Sequence, residues 1–80
     1  MSLQRFDAAA FRERLQLAIS IKGMPLPRVA LACAMPLASL EGYAYGQMLP
    51  GTKALAQLSQ GLNVSADWLL FGGRNARRAA

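Results

Sequence analysis

Few side chains in this sequence can do chemistry. The chain has 80 residues, with no histidine, one cysteine, four carboxylates and nine lysines and arginines. The acids Asp7, Glu13, Glu41 and Asp67 are scattered. Asp7 and Asp67 stand near expected helix starts, where a carboxylate stabilises the helix. There is no nucleophile–base pair and no glycine-rich phosphate loop, so no enzymatic reaction is expected and no cofactor is implied. Cys33 alone can form no internal disulfide, and without histidine it can join no zinc-type cluster. As a small thiol in a short apolar helix it reads as core packing rather than as a redox sensor. That leaves cation and hydrogen-bond chemistry. A net charge of +5 and a pI near 10.4 suit a polyanionic partner, nucleic acid above all. The excess sits at the two ends: between residues 24 and 53 only Arg28 and Lys53 stand against Glu41.

The elements that would position these groups are helices. Hydrophobic residues make up 54% of the chain, enough for an efficient core in a single small domain. Asp7 is a good N-cap for "AAAFRERLQLAISIK", in which Phe11, Leu15, Ala18 and Ile19 share one face. Gly23 suits the left-handed position that ends a helix. Pro27 fits the first position of a short second helix running to Cys33. Met35 precedes Pro36 and is pushed out of helical angles, so the chain breaks at Ala34-Met35 and restarts at Pro36. A third helix covers Leu37 to Tyr45, with Leu40 and Tyr43 inward and Gly42 weakening it by about 1 kcal/mol. "GQMLPG" is a loop. Thr52 is expected to cap a fourth helix with Leu55, Leu58 and Leu62 on one face, ended by Asn63. Ser65 caps a short fifth helix, "ADWLLF", which Gly72-Gly73 stops. The expectation is all-α: one compact five-helix domain over residues 7–72, with flexible ends at 1–6 and 73–80. No apolar run of membrane-spanning length exists, and the N-terminus lacks a signal-peptide pattern.

The stretches "VALACAMPLASLEGYAYGQMLP" and "LAQLSQGLNVSADWLLFG" carry a resemblance. The first pairs small Ala30 with Met35 in a tight turn, Leu40 in the next helix and a Gly46–Pro50 spacing. The second is similar to the closing pattern of lambda-repressor-like (Cro/repressor-type, XRE) helix-turn-helix domains of phage-repressor type. The similarity runs from about Phe11 to Gly72. It implies a helix-turn-helix at about residues 26–45, whose third helix would lie in the DNA major groove. On that resemblance the groove-facing positions are Pro36, Leu37, Ala38, Ser39, Glu41 and Gly42. The phosphate-facing ones are Leu26, Pro27 and Arg28, then Tyr45 to Met48 with Gln47 among them, and Lys53. Four positions depart from the family's habit. Leu26 stands where Gln is frequent, Ala34 where the turn has Gly, and Met48-Leu49 where Lys or Arg is common. Only Ser39 and Glu41 are polar on the groove face; Leu37 and Ala38 would touch thymine methyls.

The resemblance therefore implies a sequence-specific DNA-binding transcriptional regulator, a repressor by the family's habit. It would be a homodimer on a near-palindromic double-stranded site, bacterial or phage-encoded, cytoplasmic and nucleoid-associated. Amides at the starts of helices two and four, with Arg28 and Lys53, would hold phosphates. The rival expectation is a degenerate helix-turn-helix serving as a protein-interaction module. Its partner surface would be apolar: Leu26, Leu37, Met48 and Leu49. Trp68 and Tyr43 read as core aromatics, and Arg12 and Arg14 as the solvent face of helix one. For Tyr45 two readings stand, a phosphate contact or a plain surface residue. For Arg74, Arg77 and Arg78 the two are a phosphate-binding tail or a solvated one.

Overall fold

A computed structural model describes residues 6–73 of the chain. They form five α-helices, α1 (Ala8–Lys22), α2 (Leu26–Ala32), α3 (Leu37–Ala44), α4 (Thr52–Leu62) and α5 (Ala66–Phe71). The domain is compact and all-α, with a Cα radius of gyration of 11.9 Å. The expected tail cations Arg74, Arg77 and Arg78, and Arg5, lie outside the described residues.

Helix α1 is the axis of the packing and touches each of the other four helices. Its start is held by the Asp7 carboxylate, which accepts from the N–H groups of Ala9 at 3.0 Å and Ala10 at 3.3 Å. Such a cap stabilises a helix by about 1 kcal/mol. Gly23 ends it at φ 66°, with its N–H donating to the Ser20 carbonyl. The expected inward face is the buried one: Phe11, Leu15, Ala18 and Ile19. They meet Val29, Leu40, Leu58 and Leu69, all fully buried.

Helix α2 begins one residue earlier than the sequence suggests, so Pro27 is its second residue. A proline is tolerated there because that N–H would lack an intrahelical acceptor in any case. The break falls where expected. Ala34 takes φ 55°, its N–H donates to the Leu31 carbonyl at 3.0 Å, and the Met35 N–H donates to Ala30 at 3.1 Å. This is a Schellman turn with alanine in the place that favours glycine. The Gln57 side chain of α4 donates to the Ala34 carbonyl at 3.0 Å and holds the turn from outside.

Helix α4 departs from expectation at its start. Gly51, not Thr52, is the N-cap residue; Thr52 is already helical and no side chain caps the helix. Its far end is tightly bound. Asn63 adopts φ 56°, the Val64 N–H donates to the Ser59 carbonyl at 3.1 Å, and the Ser59 hydroxyl donates to the Val64 carbonyl at 2.6 Å. Gly61 lies against α2: a Cβ there would fall 2.6 Å from the Cys33 Cα and 2.7 Å from the Ala32 carbonyl oxygen.

Arg14 is not on the solvent face. It is half-buried, its Nε donates to the Leu69 carbonyl at 3.0 Å, and its Nη2 donates to Leu70 at 2.9 Å. The guanidinium thus satisfies two carbonyls that the end of α5 leaves open. Arg12 is half-buried too. Its Nε is shielded from solvent and meets no acceptor among the described residues. Position on α1 did not reveal this, because α5 covers what an isolated helix would expose.

Candidate nucleic-acid interface

The start of α3 and the start of α4 face each other across an open cleft of about 510 Å³. Ser39 and Tyr43 line it from α3, and Gly51, Thr52, Lys53 and Gln57 from α4. The Ala34 turn closes one end. Three expected contact residues, Pro36, Ser39 and Lys53, are thereby brought to one place.

The cleft's chemistry lies in its backbone as much as in its side chains. A helix start leaves N–H groups without intrahelical acceptors, and their combined dipole favours an anion. At α1 the Asp7 side chain satisfies two of these groups; at α5 the Ser65 hydroxyl accepts from the Trp68 N–H at 3.2 Å, and Asp67 sits in the first turn. At α3 and α4 no side chain caps the start and no acid stands in the first turn. In α4 the first N–H to find a backbone carbonyl is that of Leu55, on Gly51 at 2.9 Å. The amides of Thr52, Lys53 and Ala54 therefore point outward beside the Lys53 ammonium. In α3 Ser39 is the first N–H so engaged, on Pro36 at 3.1 Å, which leaves Leu37 and Ala38. Helix α2 offers less. Pro27 has no N–H and that of Arg28 donates to Pro25 at 2.9 Å, so Leu26 alone remains.

The other expected contact residues are more dispersed. Ala38 and Glu41 are exposed on α3, while Leu37 is half-buried against the core. Gly42 is half-buried, and the Met48 side chain lies directly over it; Gly46 packs against it from the same side. The gap left by the missing side chain is what admits the methionine, a packing role for Gly42 that its weak helix propensity conceals. Arg28 and Gln47 are exposed, and Tyr45 is 59% exposed just past α3. None of the three lines the cleft. Leu26 packs partly against the core. Met48 and Leu49 remain half exposed, at 49% and 51%, and Leu49 borders a small apolar hollow with Phe6, Phe11 and Leu70.

Tyr43, Thr52 and Gln57 are the cleft residues with polar side chains that sequence reasoning did not place at a contact. Tyr43 packs against the core but also borders the cleft. It follows Ser39 by one helical turn, a spacing that puts both on one face and was the available signal. Gln57 stands in the same relation to Lys53. Cys33 is buried, and burial pushes its thiol up from the ordinary range, with the nearby Lys22 charge opposing in part. A protonated, covered thiol is a poor nucleophile. No group of three or more potential metal ligands occurs among the described residues, and no described helix is long and apolar enough to cross a membrane.

Comparison of the chain with protein-family models, with curated proteins and with solved structures finds no match.

Proposed function

We propose that this chain is a DNA-binding transcriptional regulator of lambda-repressor-like, helix-turn-helix type. In this reading α3 enters the major groove, presenting Ala38, Ser39 and Glu41 to base edges. The carrying observation is the cleft itself: the open start of α4, with Lys53, stands beside the start of α3 with Ser39. A duplex laid along α3 would bring a backbone phosphate to the Thr52–Ala54 amides and the Lys53 ammonium. Arg28, Tyr45 and Gln47, exposed on neighbouring segments, would add flanking phosphate contacts. With two polar groups on the reading face, part of the specificity would come from DNA shape. The regulator acts as a homodimer on a two-fold site in the cytoplasm, and repression follows from occupying that site.

The test is selection from a random duplex pool at roughly physiological salt, followed by affinity measurement across salt concentrations. A recurring two-fold motif is expected. Lys53→Ala should weaken binding to all sequences alike and reduce the salt slope by about 1, with thermal stability unchanged. No enriched motif, together with salt-insensitive capture of a protein through Met48 and Leu49, would replace this reading with the interaction module. The half exposure of those two residues is the observation that favours the rival.

A further inference from the structure

The second half of α1 carries an anomaly. Leu17 is 51% and Ile21 75% exposed, one turn apart on the outward face, where a helix of this size normally places polar residues. They border a groove of about 520 Å³ whose other wall is Leu62, Val64 and Trp68. That volume falls in the range of small-molecule sites, and the lining has their character: apolar walls with a few polar groups. The polar groups here are mainly donors. Lys22 and Asn63 line the groove, Trp68 carries an indole N–H, and no carboxylate is present in the lining. Asn63 is held in its turn through its backbone N–H, which leaves its side chain unused. Among the described residues neither the Asn63 amide nor the Trp68 indole has a hydrogen-bond partner.

We propose that this groove binds a small amphiphilic monocarboxylate, an alkyl chain with one acidic head. The head is chosen by charge. A carboxylate accepts and never donates, so it suits an ammonium beside an unpartnered amide, and no acid in the lining repels it. The body is chosen by the walls. Lys22 is the last residue of α1 and Leu17 lies about 7.5 Å back along the helix, so the α1 wall is charged at one end and apolar along the rest. A single-headed chain matches that polarity: its head meets Lys22 and Asn63, and its tail covers Ile21 and Leu17. A neutral apolar body would leave the three donors unanswered, and a cationic head would be repelled by Lys22. The location keeps this site apart from the cleft. The cleft lies at the start of α4 and the groove at its end, about 16 Å away for an 11-residue helix. The proposal does not depend on DNA binding, and its test uses no DNA.

The experiment is titration of the full chain with octanoate, octanol and octylammonium, each below its aggregation threshold, read by the emission of Trp68, the sole tryptophan. Octanoate should bind tightest and move the emission to the blue, as its chain displaces water from the indole. Hexanoate should bind more weakly and decanoate more tightly, by about twofold per methylene, since an open groove covers roughly half of each one. Lys22→Gln should cost octanoate about threefold and bring it level with octanol. Lys22→Glu should reverse the order and put octylammonium first, which a residue that merely shaped the groove would not do. Ile21→Ser should weaken all three alike. Both side chains are exposed, so the variants should keep the parent's circular dichroism. No emission change with octanoate would overturn the proposal and leave the groove to a helix of another protein. So would equal binding of the three heads, affinity that ignores chain length, or an order that Lys22→Glu leaves unchanged.

Discussion

The two ends of α4 are built on opposite terms. At its C-terminal end the turn closes its own hydrogen bonds and the backbone of α2 is in close contact: Gly61 on Cys33 and Ala32, Asn63 in the left-handed turn, Ser59 bonded to Val64. At its N-terminal end the amides of three successive residues lack a cap, and Lys53 stands among them beside an open cleft. A helix end whose hydrogen bonds are closed internally contributes to stability and has nothing left to offer a ligand. One left open at a glycine gives up roughly a few tenths of a kcal/mol of capping but keeps donors aimed at solvent. The contrast within one helix separates what holds this fold from what is free to bind.

Four substitutions would break or sharpen that contrast. Gly61→Ala should have the largest effect. The added methyl meets backbone, which cannot step aside as a flexible side chain would. A loss of about 2 kcal/mol in urea unfolding is expected even after alanine's better helix propensity is counted. A neutral result would mean that the α2–α4 contact is loose. Gly51→Asp comes next and should separate stability from binding. Nothing lies within 4 Å of a Cβ at that position and its backbone is extended, so an aspartate fits and can cap α4. Stability should rise by a few tenths of a kcal/mol. Binding to duplex DNA should fall about tenfold, because the carboxylate occupies the amides and repels phosphate. If DNA binding survives intact, the open end is not where phosphate sits.

Ala34→Gly tests the turn between the two regions. Relieving the left-handed alanine should stabilise the fold by about 1 kcal/mol, measured as a higher melting temperature, with binding unchanged. An unchanged melting temperature would argue against strain at this turn. The smallest effect is expected at Cys33. Burial raises its thiol pKa, so the folded state prefers the protonated form. That contribution is complete at neutral pH and is lost as pH rises through and above the ordinary thiol range. Stability should therefore decline in mild alkali, less so in Cys33→Ala after allowance for its lower starting value. Equal declines would show that the thiol plays no part.

What could be read from the sequence was what acts locally. Asp7, Gly23, Asn63 and Ser65 announce helix ends because each works on residues two to four places away, and Phe11 to Ile19 announce a buried face by spacing alone. The misplacement of the α4 cap by one residue has the same root: Gly51 and Thr52 are both acceptable caps, and only the chain's path chooses. What could not be read depends on distant partners. Arg14 resembles a surface arginine until α5 lies across it. Gly42 resembles a weak helix residue until Met48 covers it, and Tyr43 resembles pure core until α4 opens a cleft beside it. Caps, breakers and spacing were enough to anticipate five helices; the juxtaposition of Ser39 with Lys53 needed the fold.

The bond from Arg14 to the end of α5 joins residues 55 apart in the chain. During synthesis α1 leaves the ribosome before the other four helices, and its partner Leu69 follows only 55 residues later. Until they do, the face bearing Phe11 and Leu15 lacks part of its cover, and a nascent chain stopped within α4 has no finished core to settle into. Folding of this domain is therefore a late, concerted event. Truncation by even the last helix should yield a chain that chaperones hold and proteases remove, rather than a smaller working unit.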